Sequence, residues 1–199
     1  LSGGKIIRYS HIDPTDLKRA LQEQRKNFAR AMVITDGVFS MDGDVMDLPT
    51  TRRLCDRYGA RLMVDEAHSI GSLGATGHGI EEHFNMVGSI DLKMGTLSKS
   101  LAGCGGFIAG STELVEYLKY TAPGFVYSVG LPPPSAAASL AALTVLQREP
   151  QPLPRRGRRV APERQRVRQR ADGVKSLVAG QELVEPVLER DEHDLREAQ

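Results

Sequence analysis

Short runs of consecutive apolar residues alternate along the chain with longer stretches in which apolar side chains recur every three or four positions. Lys5–Ser10 (KIIRYS) reads as a short strand, and Ala31–Asp36 (AMVITD) as a strand buried on both faces. Arg61–Ala67 (RLMVDEA) repeats that pattern and ends in acids, and Ile90–Thr96, Gly105–Gly110 and Phe125–Val129 are further strands. Between them, Asp13–Asn27 is an amphipathic helix with Pro14 in its first turn. Leu48–Tyr58 is a helix that Asp47 caps, Pro49 starts and Gly59 stops. Glu113–Tyr120 is a short helix, and Pro133–Leu146 is an alanine-rich one with prolines only at its start. The alternation predicts an α/β fold: a largely parallel sheet with helices on both faces.

After about Glu149 the pattern stops. Residues 150–171 hold eight arginines, three prolines beyond Pro150 and few large apolar side chains. Such a stretch buries too little surface to offset the entropy of ordering it. Weak periodicity returns after Gly173 (Leu177, Val178, Leu183, Val184, Val187, Leu188) among many charges. Two regions are therefore expected: an ordered part at 1–149 and an atypical Arg/Pro-rich tail at 150–199, disordered or poorly packed.

Lys plus Arg total 26 and Asp plus Glu 25, a net charge of +1, and nucleic acid is not an expected partner. There is no Trp to stack bases. No window holds the roughly 18 continuous apolar residues of a membrane span, and no leader pattern opens the chain. Two cysteines, Cys55 and Cys104, form no disulfide framework, and reduced thiols in a cytoplasm are the simpler reading. No metal site is expected, and a first residue of Leu1 points to a fragment.

In parallel α/β sheets, ligands bind beyond the carboxyl ends of the strands, and there the polar residues gather. Ser40 follows the strand Ala31–Asp36; Asp65-Glu66-Ala67-His68 ends the next; Thr96-Leu97-Ser98-Lys99-Ser100 leaves the third and runs into Ala102, Gly103, Gly105 and Gly106. From its neighbours alone, Lys99 is either a solvated loop lysine or an amine able to form an imine with an aldehyde. Thr96 and Ser98 offer hydroxyls to a phosphate, and the small residues let a flat or phosphorylated ligand approach the backbone. A carboxylate at the end of a buried strand needs a cation or donors. Asp65 is thus either a structural cap or ion-pair member, or the partner of a protonated pyridine ring. His68 is a structural histidine or a hydrogen-bond donor to a ring oxygen.

Asp-Glu-Ala-His after an apolar strand is also found in nucleic-acid helicases. Those need a GxxxxGK[ST] phosphate loop, which this sequence lacks, and a Ser-Ala-Thr motif where it reads GTLSKS.

GVFSMDGD (37–44), VDEAHSIGSLGATGHG (64–79), GTLSKSLAGCGGFIAG (95–110) and YSVGLPP (127–133) together resemble the α-oxoamine synthase family. These are fold type I pyridoxal-phosphate enzymes, among them 8-amino-7-oxononanoate synthase and serine palmitoyltransferase. The resemblance runs from Leu1 to about Glu149. It implies an incomplete major domain of a pyridoxal-phosphate-dependent transferase, with pyridoxal 5'-phosphate as cofactor. It also implies catalytic roles for Lys99, Asp65 and His68. Lys99 forms the internal aldimine and moves protons at the substrate α-carbon, Asp65 keeps the pyridine nitrogen protonated, and His68 bonds the ring 3-oxygen. Ser40 contacts the cofactor near that oxygen, and Thr96 with Ser98 binds its phosphate. Ser128 reaches the phosphate of a partner subunit in a homodimer.

The implied reaction joins an amino acid to an acyl thioester, carried by CoA or an acyl carrier protein, usually with loss of CO2, to give an α-amino ketone in the cytoplasm. An aminotransferase of the same fold type, or an inactive fragment, is the alternative. Val129 departs from the Thr or Asn common in relatives beside the phosphate-binding Ser, and the tail at 150–199 does not resemble the family's small C-terminal domain. Weak or absent activity is expected of this polypeptide by itself.

Overall fold

The apolar runs predicted as strands form the middle of one six-stranded sheet. The structure is a computed structural model that describes residues 3–148 and the backbone of residues 174–180. In chain order the elements are β1 (Lys5–Ser10), α1 (Pro14–Gln24) with a 3-10 turn at Arg25–Asn27, β2 (Arg30–Asp36), α2 (Leu48–Tyr58) and β3 (Arg61–Asp65). They continue with α3 (Ile80–His83), β4 (Leu92–Thr96), β5 (Gly106–Gly110), α4 (Thr112–Thr121), α5 (Pro123–Val126), α6 (Pro133–Arg148) and β6 (Val174–Gly180). The strand order is β1-β6-β2-β3-β4-β5. β2, β3 and β4 are mutually parallel, β6 is antiparallel to both β1 and β2, and β5 is antiparallel to β4. The expected largely parallel sheet is present, with an antiparallel strand added on each side of its centre.

Local sequence explains the helices. Asp13 caps α1 by accepting from the backbone N–H groups of Thr15 (2.8 Å) and Asp16 (3.2 Å). Asp47 caps α2 through the Thr50 N–H at 3.0 Å, and Gly59 ends it in the left-handed conformation, φ +59°. Both helices press apolar residues on one face of the sheet. Leu17, Ala20, Leu21, Leu48, Leu54 and Cys55 meet Ala31, Val33, Leu62 and Val64, all buried. Burial pushes the Cys55 thiol up to about 12 and so keeps it neutral.

The alternate residues of the strands, Met32, Ile34, Met63 and Met94, are only half-buried. Register places Asp36 opposite Asp65 and Asp65 opposite Met94, so both acids share this second, less covered face.

Two sequence expectations differ from the fold, and one element has no counterpart among them. Phe125–Val129 is not a strand: Pro123 starts the four-residue helix α5, and among the described residues no strand lies beside it. Its alternation of Phe125, Tyr127 and Val129 instead leaves all three exposed. α3 had no signal of its own beyond Gly79 and the acids Glu81 and Glu82. Within the expected tail, 174–180 pairs with two strands as β6, while 150–173 and 181–199 lie outside the described residues.

Candidate active site

Three adjacent parallel strands deliver their carboxyl ends side by side. The Gly37 N–H donates to the Asp65 carbonyl at 2.8 Å, and the Glu66 N–H to the Met94 carbonyl at 2.7 Å. Asp65 is half-buried. One of its carboxylate oxygens accepts the Ala67 N–H at 2.8 Å, and the other has no partner among the described residues. A carboxylate partly removed from water with one oxygen unengaged favours a cationic donor.

The segment after Asp65 is fixed by a residue the sequence reading passed over. Glu66 is 1% exposed. Its carboxyl group takes the Ser69 hydroxyl and the Ile80 N–H at 3.2 Å. Burial pushes its pKa above the usual carboxylate range, against the opposing pull of the Ser69 and Ile80 hydrogen bonds. Gly79, at φ +91°, leaves room for it, because a Cβ there would lie 2.8 Å from the carboxylate. His68 therefore leaves a rigidly anchored loop, with its ring exposed and unbonded among the described residues. A buried acid between Asp65 and His68 is visible in the sequence only as the second letter of DEAH.

Beyond β4, the Thr96 hydroxyl is 2.8 Å from that of Ser98 and 3.2 Å from the Gly105 carbonyl. The lysine loop closes on itself through Leu97 N–H to Gly105 O (3.0 Å), Gly103 N–H to Leu97 O (2.7 Å) and Ala102 N–H to Lys99 O (3.0 Å). Lys99 is exposed, and its amine has no partner among the described residues. Ser135 of α6 holds the far side, accepting from the Cys104 N–H at 2.5 Å and donating to the Cys104 carbonyl at 3.0 Å. A Cβ at Gly103 would sit 2.1 Å from the Ser139 hydroxyl, so glycine is required for α6 to lie this close.

The structure thus gathers Asp65, His68, Thr96, Ser98 and Lys99 on two neighbouring loops. Ser40 is exposed in the turn that links Val38 to Val45. Among the described residues no hydrogen bond joins it to the other loops. Ser128 is exposed between α5 and α6, its hydroxyl accepting the Gly130 N–H at 3.1 Å and, among the described residues, no other donor. An amine, an acid with an unengaged oxygen, a pair of hydroxyls and a glycine-lined turn make a donor set that fits an aldehyde, a ring nitrogen and a phosphate.

A largely parallel sheet with that set at its carboxyl edge has the form of a cofactor-binding α/β domain. The chain belongs to the aminotransferase class I and II family, whose pattern matches residues 1–186. That match extends past Glu149, beyond the span of the resemblance in the motifs. Among curated relatives, a putative 8-amino-7-oxononanoate synthase of Trichormus variabilis is 46% identical over 76% of this chain and 39% of its own length. Serine palmitoyltransferase of Sphingobacterium spiritivorum is 43% identical over 76% of this chain and 38% of its own. Among solved structures, serine palmitoyltransferase from S. paucimobilis with a bound PLP-myriocin aldimine aligns with a TM-score of 0.65 and 31% identity. It covers 69% of this chain and 36% of that one. These relatives bear out the resemblance to 8-amino-7-oxononanoate synthase and serine palmitoyltransferase. The chain spans about two-fifths of the length of these two curated relatives.

Proposed function

We propose that the chain carries the cofactor-binding part of a pyridoxal-phosphate-dependent acyltransferase that condenses an amino acid with an acyl thioester of CoA or a carrier protein. The products are an α-amino ketone, CO2 and the free thiol. The observation that carries this reading is the convergence of the Lys99 loop and the Asp65–His68 loop at the carboxyl ends of adjacent parallel strands.

When bound, pyridoxal phosphate supplies an electrophilic carbon and a ring that accepts electron density from the amino acid's α-carbon. Each residue then has one task. Lys99 holds the aldehyde carbon and afterwards takes or returns a proton at the α-carbon. Asp65 keeps a proton on the ring nitrogen. His68 donates to the ring oxygen, with Ser40 beside it. Thr96 and Ser98 hold phosphate oxygens.

Ser128 serves a partner's phosphate in a homodimer. Supporting this is the apolar surface around it, with Tyr127 88% and Val129 107% exposed, more than a lone subunit keeps in water without reason. Reduced thiols at Cys55 and Cys104 support a cytoplasmic setting. No helix among the described residues is long and apolar enough to cross a membrane.

The test is reconstitution. Pyridoxal phosphate added to the purified chain gives a visible absorbance band, and Lys99→Ala abolishes it. A missing band, or one that survives the substitution, overturns the reading. Release of CO2 from an amino acid and acyl thioester, rather than formation of a keto acid, separates condensation from aminotransfer.

A further inference from the structure

Ser100 follows the lysine and takes no part in the chemistry above, yet it makes the side-chain bond between the two loops of the site. Its hydroxyl donates to the Ile70 carbonyl at 2.7 Å. That acceptor is itself fixed. Ile70 N–H bonds the Glu66 carbonyl at 3.1 Å, Gly71 N–H bonds the Gly77 carbonyl at 2.8 Å, and Ile70 bridges to His78. The segment that carries His68 is thus a preformed frame.

Ser100 reaches the frame because position 71 has no side chain. Gly71 has φ +76°, and a Cβ there would lie 2.5 Å from the Ser100 Cβ and 2.7 Å from its hydroxyl. Leu146 of α6 closes the seam, 3.5 Å from the same point. Within the lysine loop, Leu101 is buried at 7% exposed and Ala102 adopts φ +50°, so the backbone on the other side of Ser100 is held as well. A Ser clamped between a buried Leu and a fixed carbonyl sets the direction in which the preceding side chain leaves the loop.

We propose that Ser100 is a positioning residue, fixing the Lys99 amine relative to His68 and Asp65 by bonding the Ile70 carbonyl across the Gly71 gap. The proposal rests on the cofactor reading given above and adds to it a residue that touches no cofactor. Loss of the bond leaves Lys99 present but misdirected, which changes the proton affinity of the bound state rather than removing it.

The experiment compares the chain with Ser100→Ala, Gly71→Ala and the double variant, in two measurements. In the first, the visible band formed with pyridoxal phosphate is titrated with pH. Both single variants are expected to move its midpoint in the same direction by about half a pH unit or more, and the double variant no further than the larger single, because both break one contact. An unmoved midpoint in Ser100→Ala, or fully additive shifts, overturns the proposal.

The second measurement is amide hydrogen exchange without cofactor. Ser100→Ala is expected to speed exchange about tenfold in both 66–79 and 97–105, the effect of one lost hydrogen bond, with β2, β3 and α2 unchanged. Faster exchange confined to 97–105 overturns it. If the unsubstituted chain shows no band, the cofactor reading fails, and the exchange result alone decides whether Ser100 joins the loops.

Discussion

The Arg52 guanidinium meets the Asp91 carboxylate at 2.7 Å and ties α2 to the start of β4. The same carboxylate accepts the Leu62 N–H at 2.8 Å and Arg61 at 2.8 Å, so one acid joins a helix and two strands below the site. Burial by itself would raise the Asp91 pKa, but the Leu62 N–H and the two guanidinium groups outweigh it and hold the group below the usual carboxylate range. Asp91→Ala is expected to lower unfolding stability by roughly 2 kcal/mol, the size of a lost hydrogen bond to a charged group. Urea denaturation should show a lower midpoint with an unchanged slope. A depressed folded-state pKa contributes stability that is present above the unfolded value of about 3.9 and lost as pH falls through the folded value. The gap between the two proteins should therefore narrow in acid.

Glu66 has the opposite sign. Its folded-state pKa is raised, so its contribution is fully present below the unfolded value of about 4.3 and lost as pH rises through the folded value. Glu66→Gln copies the neutral form, keeps an acceptor for Ile80 and offers a donor to Ser69. It is expected to raise Tm near pH 7, by about 2–4 °C per kcal/mol recovered, and to leave Tm unchanged near pH 4. Scanning calorimetry at both pH values decides; a lower Tm at pH 7 would show that the charged form is the one this pocket holds.

Glycine requirements can be separated by paired substitutions. Gly79 and Gly88 have nearly equal angles, φ +91° and +82°, but a Cβ at 79 meets the Glu66 carboxylate whereas a Cβ at 88 meets nothing within 4 Å. Gly79 also has ψ −155°, a region that side chains other than glycine's enter at a cost of about 1–3 kcal/mol, so both backbone and packing act against Ala there. Gly79→Ala should be the less stable by a further kcal/mol or so, from displacing a buried acid. Equal denaturation midpoints would contradict both the strained backbone and the close packing at Gly79.

Removing the unengaged oxygen at the strand end tests the role of Asp65 in binding. Asp65→Ala is expected to weaken pyridoxal phosphate binding about ten- to a hundredfold, the range of one charge-assisted hydrogen bond. Spectrophotometric titration measures it. Binding within twofold of the unsubstituted chain would assign Asp65 to loop structure alone.

Much of this arrangement was legible in the sequence because its signals are local. Asp47, Pro49 and Gly59 mark α2 at its observed ends, and the apolar runs of β2 and β3 mark strands, although only one face is fully buried and the other is half-covered, short of the two-face burial expected. The polar residues at their exits follow from the direction of a parallel sheet. What escaped depends on partners distant in the chain. Val174–Gly180 is a strand only because β1 and β2 leave a gap that fits it. Phe125–Val129 has strand-like alternation but no neighbouring strand among the described residues, so the short-range start signal of Pro123 prevails. Glu66 and Ser100 escaped for the same reason, since their partners, Ile80 and Ile70, lie 14 and 30 residues away.

β6 sits between β1 and β2, and this imposes a timetable on synthesis. β1 is translated well before its lateral neighbour, residues 174–180. During that interval β1 keeps its packing on α1 and the Tyr9 hydroxyl bond to the Ile34 carbonyl, but β2 waits with one flank unpaired. Nascent chains stalled before residue 174 would display two open strand flanks, the kind of template that other polypeptides join. Chaperone demand should thus peak just before this late strand emerges from the tunnel.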